Sequence, residues 1–229
     1  MRYAFAHRGG RALGPDNRLA TFTTALARGA TGLETDAWLT ADGEIVLDHD
    51  GVHRAGRSRR RPIDQFRRAD LPPHIATLEE LYDACGVDFD LAIDVKATPV
   101  AAAIRRSAAA RGALDRLWLV TPAGAKQTAE ILQAAAGAHL AVSVRATTLL
   151  GPAFGRTLAA AAEAGCSAVN ARWPWWSGGR VDLVHQRGLL AFGYDAQRRA
   201  SLRRCVALGL DGVFSDHVER MLDVAAATS

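Results

Sequence analysis

The stretch Gly32-Leu33-Glu34-Thr35-Asp36-Ala37-Trp38-Leu39 decides the fold. It reads as one strand, yet it carries two carboxylates two residues apart. In a strand, residues i and i+2 share a face, so Glu34 and Asp36 point the same way. Outward from it, short apolar runs alternate with helix-like stretches along the whole chain. Strands are expected at 3–7, 32–39, 44–48, 89–95, 116–120, 139–144, 167–170, 189–193 and 212–215. Helices are expected at 18–27, 78–84, 100–111, 125–136, 154–164, 179–186, 196–208 and 218–225, with Gly29, Gly112, Gly137, Gly165, Gly188 and Gly209 where several should stop. Thr77-Leu78-Glu79-Glu80 reads as an N-cap followed by first-turn glutamates. Repeated strand–helix units favour a parallel sheet closed into a barrel with helices outside. Nine strands for eight barrel places leave one surplus. The link from Leu39 to Glu44 is too short for a helix, so it is either an irregular return or a hairpin.

Composition bounds the answer. The 229 residues are 49% hydrophobic and 23% charged, with mean hydropathy near zero. That profile excludes a disordered chain, a collagen and a coiled coil. A single α/β barrel runs to about 250 residues, so one domain suffices. No apolar run reaches the roughly 18 residues of a membrane helix, and the N-terminal apolar stretch is too short for a signal peptide. A cytoplasmic protein without an integral membrane segment is expected. Cys85, Cys166 and Cys205 form no CxxC and are expected as free thiols. Net charge is +4, and Lys96 and Lys126 are the only lysines among 28 basic residues. The basic cluster of Arg54, Arg57, Arg59, Arg60, Arg61, Arg67 and Arg68 has no interleaved aromatics for stacking bases. It reads as a solvated loop, and no nucleic-acid partner is expected.

Charges fall at the ends of the apolar runs. The first ends in His7-Arg8-Gly9-Gly10, the third in Asp48-His49-Asp50, and the fourth carries Asp94 and Lys96. Polar groups at C-terminal strand ends mark the active face of a parallel barrel. Glu34, Asp36 and Asp94 make an all-oxygen cluster suited to Mg²⁺ or Ca²⁺ rather than Zn²⁺. His7 and His49, expected on neighbouring strands, can give and take a proton during displacement at phosphorus. Arg8 and Lys96 supply positive charge for a phosphodiester.

With these residues in place, the chain resembles the glycerophosphodiester phosphodiesterase family. The matching stretches are Ala6-His7-Arg8-Gly9-Gly10, Pro15-Asp16-Asn17, Gly32-Leu33-Glu34-Thr35-Asp36, Leu39-Thr40-Ala41-Asp42-Gly43 and Asp48-His49-Asp50. Ala76-Thr77-Leu78-Glu79-Glu80-Leu81, Ile93-Asp94-Val95-Lys96 and Gly212-Val213-Phe214-Ser215-Asp216 follow in order. The resemblance implies a distorted TIM barrel, one domain over 1–229 with a short loop insertion at 51–76. It implies a divalent metal, Mg²⁺ or Ca²⁺, held by Glu34, Asp36 and Asp94, with His7 and His49 as the acid/base pair. Arg8 and Lys96 would hold the phosphate, and Tyr194 would stand in for an aromatic wall. The implied reaction cleaves a small glycerophosphodiester to glycerol 3-phosphate and an alcohol such as choline or ethanolamine. A monomer or small homo-oligomer is expected.

The chain departs from the family pattern at several points. It has Pro15-Asp16-Asn17-Arg18 where the family usually has Pro-Glu-Asn-Thr, and Asp94 where Glu is usual. The insertion at 51–76 is shorter than usual, which reduces the cap over the substrate. Trp173, Trp175 and Trp176 can wall a choline by cation–π contact, or form a packed or membrane-touching loop. Two alternatives stay open: a lysophospholipase D or sphingomyelinase D-like lipid enzyme, and a non-catalytic phosphate- or metal-binding barrel.

Overall fold

The computed structural model describes residues 1–54 and 59–227. Residues 55–58 of the 51–76 insertion, Arg57 of the basic cluster among them, lie outside the described residues. In chain order the strands are β1 (Tyr3–Ala6), β2 (Gly32–Leu39), β3 (Ile45–Leu47), β4 (Val52–Arg54), β5 (Arg60–Pro62) and β6 (Asp90–Asp94). They continue as β7 (Leu117–Pro122), β8 (His139–Ser143), β9 (Ala168–Arg172), β10 (Leu190–Tyr194) and β11 (Gly212–Ser215). The helices are α1 (Leu19–Ala27), α2 (Leu78–Cys85), α3 (Thr98–Ala110), α4 (Ala125–Ala134) and α5 (Ala146–Leu149), then α6 (Phe154–Glu163), α7 (Gly178–His185), α8 (Arg199–Ala207) and α9 (Val218–Ala226). Eight strands run parallel in the order β1-β2-β6-β7-β8-β9-β10-β11, and β11 returns to pair with β1. This is the closed TIM barrel expected from the sequence.

The strand alternation explains what lies inside and outside. Tyr3, Phe5, Trp118, Phe192 and Phe214 point into the lumen and pack ring against ring, with Phe5 and Phe214 stacked at 4.7 Å. Small residues make room for them. A Cβ on Gly32 would stand 2.8 Å from the Phe5 ring, and one on Gly212 the same distance from Phe192. The other faces of the strands, Leu33, Ile93, Leu119 and Val142 among them, bury against helix residues such as Ile104, Ile131 and Leu202. The aromatic plug fills the barrel from below and leaves its C-terminal end for polar groups.

The surplus strand is β3. It runs antiparallel to the distal half of β2, with Ala37 opposite Leu47 and Leu39 opposite Ile45, so the hairpin alternative holds. Its turn closes through Thr40, whose Oγ1 accepts from the Glu44 N–H at 3.0 Å, and Gly43 takes the φ of 84° that the turn demands. His49 therefore follows an antiparallel ribbon and not a barrel strand. The expectation of two histidines on neighbouring strands is corrected. The ribbon continues into the insertion, where β4 pairs with β5. Ile63, Phe66, Leu71 and Ile75 form a small second core with Val46. That hairpin was not expected, because Arg60-Arg61-Pro62 is exposed and shows no apolar alternation. What holds it is the burial of the residues just after it.

The N-cap reading at Thr77 is borne out as a complete capping box, with Glu80 N–H on Thr77 Oγ1 at 3.1 Å and Thr77 N–H on Glu80 Oε2 at 2.7 Å. Such a cap contributes about 1 kcal/mol. α8 begins at Arg199, three residues later than expected. Ala196 is buried, and Gln197 turns away to bond the end of β11. The basic cluster is locally paired: Arg60 lies 3.7 Å from Asp50, Arg67 3.7 Å from Asp42, and Arg61 stacks on Phe66. The three cysteines are free. Among the described residues, no helix is long and apolar enough to cross a membrane.

Candidate active site

β1 delivers His7 and Arg8 to the C-terminal mouth. Arg8 adopts a left-handed backbone, φ 49°, uncommon for a side-chain-bearing residue. That turn aims its N–H at Glu34 Oε2, 2.8 Å away, and lays its guanidinium between Asp16 Oδ2 at 3.0 Å and Asp36 Oδ2 at 3.4 Å. Gly9 must follow, because a Cβ there would meet the Phe22 ring at 2.8 Å.

Glu34 and Asp36 face the lumen as expected, and both are buried. Asp36 stands opposite Asp94 in the β2–β6 register, so three carboxylates gather on adjacent strands. Lys96 bonds Asp94 Oδ2 and reaches within 3.9 Å of Asp36 Oδ1. Asn17, also left-handed at φ 53°, accepts from the Thr35 hydroxyl at 2.9 Å and lies 3.5 Å from Asp36 Oδ2. His7 is held between two carboxylates: Nδ1 is 2.6 Å from Asp216 Oδ1, and Nε2 is 3.9 Å from Glu34 Oε2. His49 is half-exposed on the ribbon, its Nδ1 3.0 Å from Asp50 Oδ1, and close enough to Asp36 to act on its charge.

Burial and like charge set the protonation states. Burial, reinforced by Asp36 and Asp94, pushes Glu34 up to about 7 against the pull of His7 and the Arg8 N–H. Asp36 is also raised, by burial and then by Asp94, with Arg8, Lys96 and His49 opposing. Burial pulls His7 down, but Glu34 and Asp216 outweigh it and the imidazole ends above its ordinary value. Asp216 ends below the usual carboxylate range, because His7 and Arg11 overcome its burial.

Among the described residues, no three His, Cys, Asp or Glu side chains converge into a metal cage. Arg8 and Lys96 reach in among the carboxylates instead. The donor chemistry nevertheless fits a hard divalent cation. Glu34, Asp36 and Asp94 are all oxygen donors, and burial beside Asp36 and Asp94 raises Glu34, a penalty that a bound cation would relieve.

Tyr194 was expected as an aromatic wall. It is on β10, facing inward, half-buried against the lumen rings. Of the readings open for the three tryptophans, the packed loop is the one the structure shows. Trp176 is buried, donates its indole N–H to Phe192 O at 3.0 Å and packs beside Phe154, while Trp173 and Trp175 rest on the outer core. These rings brace the wall after β9 rather than lining the mouth together.

Asp16, Asn17 and Asp216 stand in the matching stretches of sequence with no expected role of their own. The structure brings all three to the site. Their signal was position: each is a polar residue just beyond a barrel strand or in its first loop. Beside His7, a cleft of about 260 Å³ is lined by Arg11, Ala12, Asp16, Asp216 and His217.

Fold and site together define a TIM barrel whose C-terminal mouth gathers a histidine, three carboxylates and two cationic side chains. Residues 7–220 match the model of the glycerophosphoryl diester phosphodiesterase family, and the chain belongs to that family. YhdW of Bacillus subtilis is 22% identical over 232 residues, 94% of each chain. The glycerophosphodiester phosphodiesterase of Thermotoga maritima superposes with a TM-score of 0.83 at 18% identity, covering 98% of both chains. A phosphodiesterase of Oleispira antarctica, solved with the product sn-glycerol-3-phosphate, gives a TM-score of 0.84 at 18% identity over 99% of this chain and 97% of its own.

Proposed function

We propose that this chain hydrolyses small glycerophosphodiesters to glycerol 3-phosphate and an alcohol. It would use Mg²⁺ or Ca²⁺ at Glu34, Asp36 and Asp94, with His7 and His49 as the acid/base pair. The observation that carries the reading is His7, set between Asp216 and Glu34 at a mouth where Arg8 and Lys96 meet three carboxylates. The product named for the Oleispira antarctica relative supports the same substrate class. When bound, the divalent ion supplies positive charge to the phosphate oxygens and makes an adjoining hydroxyl more acidic. Arg8 and Lys96 orient the phosphodiester and balance its charge. One imidazole removes the proton of the attacking hydroxyl, and the other returns a proton to the leaving alkoxide. Tyr194, facing inward from β10, would supply the aromatic wall. The reading includes a single domain acting in the cytoplasm as a monomer or small homo-oligomer.

A lipid-cleaving variant of the reaction would call for an exposed apolar groove at the tryptophans. The burial of Trp176 argues against one. The test is glycerol 3-phosphate release from glycerophosphocholine and glycerophosphoethanolamine with Mg²⁺, Ca²⁺ or EDTA, wild type beside His49→Ala. Release that requires metal and is lost in the variant is expected. Undiminished release in EDTA, or full activity in His49→Ala, would overturn the mechanism.

A further inference from the structure

β1 pairs with β11 so that Ala6 stands opposite Ser215. The next residue on each strand is therefore His7 on one and Asp216 on the other, side by side across the seam that closes the barrel. The result is the 2.6 Å contact between His7 Nδ1 and Asp216 Oδ1. An ionised carboxylate has no proton to give, so the hydrogen in this contact belongs to Nδ1.

Asp216 is itself fixed. Its N–H donates to Gln197 Oε1 at 2.9 Å, and the same oxygen accepts from Ser215 Oγ at 3.2 Å. Gln197 O in turn accepts from Arg220 at 2.8 Å. The two carboxylate oxygens have different neighbours. Oδ1 faces His7, whereas Oδ2 faces the Arg11 guanidinium, whose NH1 is 4.0 Å away. The opposite nitrogen of His7, Nε2, points into the mouth towards Glu34.

We propose that Asp216 is a positioning residue that locks His7 as its Nδ1–H tautomer, so that Nε2 is the nitrogen that exchanges a proton with substrate. The proposal rests on the reading of His7 as one of the acid/base pair. In either direction one proton crosses Nε2. When His7 acts as base, that proton leaves the attacking hydroxyl and forms an imidazolium. When it acts as acid, the proton passes to the leaving alkoxide. Nδ1 keeps its own hydrogen throughout, and Asp216 stays ionised and holds the ring plane.

Asp216→Asn separates shape from tautomer. Arg11 favours the amide carbonyl and turns the amide NH₂ towards His7. Nδ1 must then accept, and the ring hydrogen moves to Nε2, which can no longer take a proton. The tautomer is read from imidazole ¹⁵N shifts of histidine-labelled, metal-free protein at about pH 9, where a neutral ring is observed. Kinetics are measured separately on glycerophosphocholine with Mg²⁺. Wild type should show Nδ1–H, and Asp216→Asn should show Nε2–H with kcat lower by about 100-fold or more and KM near wild type. Adding Arg11→Ala to Asp216→Asn frees the amide to turn over. It should restore the Nδ1–H signal and raise kcat roughly tenfold above that of Asp216→Asn. An unchanged tautomer in Asp216→Asn would overturn the proposal. A switched tautomer with undiminished kcat would instead overturn the role of His7 in proton transfer, which separates the two failures.

Discussion

Glu34 carries a cost that can be measured without substrate. Its carboxyl sits at about 7 in the folded protein against an ordinary value of 4.5, because it is buried beside Asp36 and Asp94. The folded state therefore binds this proton more tightly than the unfolded chain does. Stability from this group is complete below about pH 4.5 and is lost as pH rises through about 7. At roughly 1.36 kcal/mol per pH unit, the loss approaches about 3 kcal/mol at pH 8 and about 1 kcal/mol at pH 5.5. Glu34→Gln removes the charge, keeps the shape and still offers a carbonyl to the Arg8 N–H. Urea denaturation in EDTA should find the variant more stable than wild type by about 3 kcal/mol at pH 8, and equal to it near pH 4. In a chain of this size that corresponds to a rise in Tm of roughly 6–12 °C at pH 8. Added Mg²⁺ should stabilise wild type and leave the variant unmoved. A variant no more stable than wild type at pH 8, or a difference independent of pH, would refute the assignment of Glu34 as a buried, charge-starved carboxylate.

Asp94→Glu should keep divalent-metal binding and activity, whereas Asp94→Ala should lose most of both and leave Lys96 with Asp36 alone; calorimetric titration with Mg²⁺ distinguishes them, and full metal affinity in Asp94→Ala would remove it from the ligand set. Glu79→Ala should leave metal affinity untouched but lower stability by about 0.5–1 kcal/mol, because Glu79 ties α2 to α3 through Ser107 and Arg111; a loss of metal affinity on titration would contradict that structural role.

The barrel was legible because its period is simple. Alternation at Gly32–Leu39 placed Glu34 and Asp36 on one face, and that face is the lumen. The register to β6 then brought Asp94 beside them. The ribbon was only half legible. Ile45–Leu47 reads as a strand whichever way it runs, and direction is set by the turn at Thr40 and by pairing that no local pattern reveals. The hairpin at β4 and β5 was illegible, since its stability comes from Ile63 and Phe66 rather than from its own residues. At the site, residue types announced the carboxylates and histidines. The partnership of His7 with Asp216 spans 209 positions and exists because the last strand closes against the first. Trp173, Trp175 and Trp176 stayed open in the sequence because three rings in one loop fit a binding wall or a packed loop alike, and only packing shows which way each ring turns.

The antiparallel ribbon has an evolutionary consequence. His7 is anchored to the closed wall, while His49 rides on a hairpin outside it, stitched to the barrel along one edge. The gap between the two imidazoles is thus governed by a segment whose length and composition can drift without breaching the cylinder. Lengthening or shortening the hairpin and the insertion that follows it would widen or narrow that gap while the β1–β11 seam stays closed.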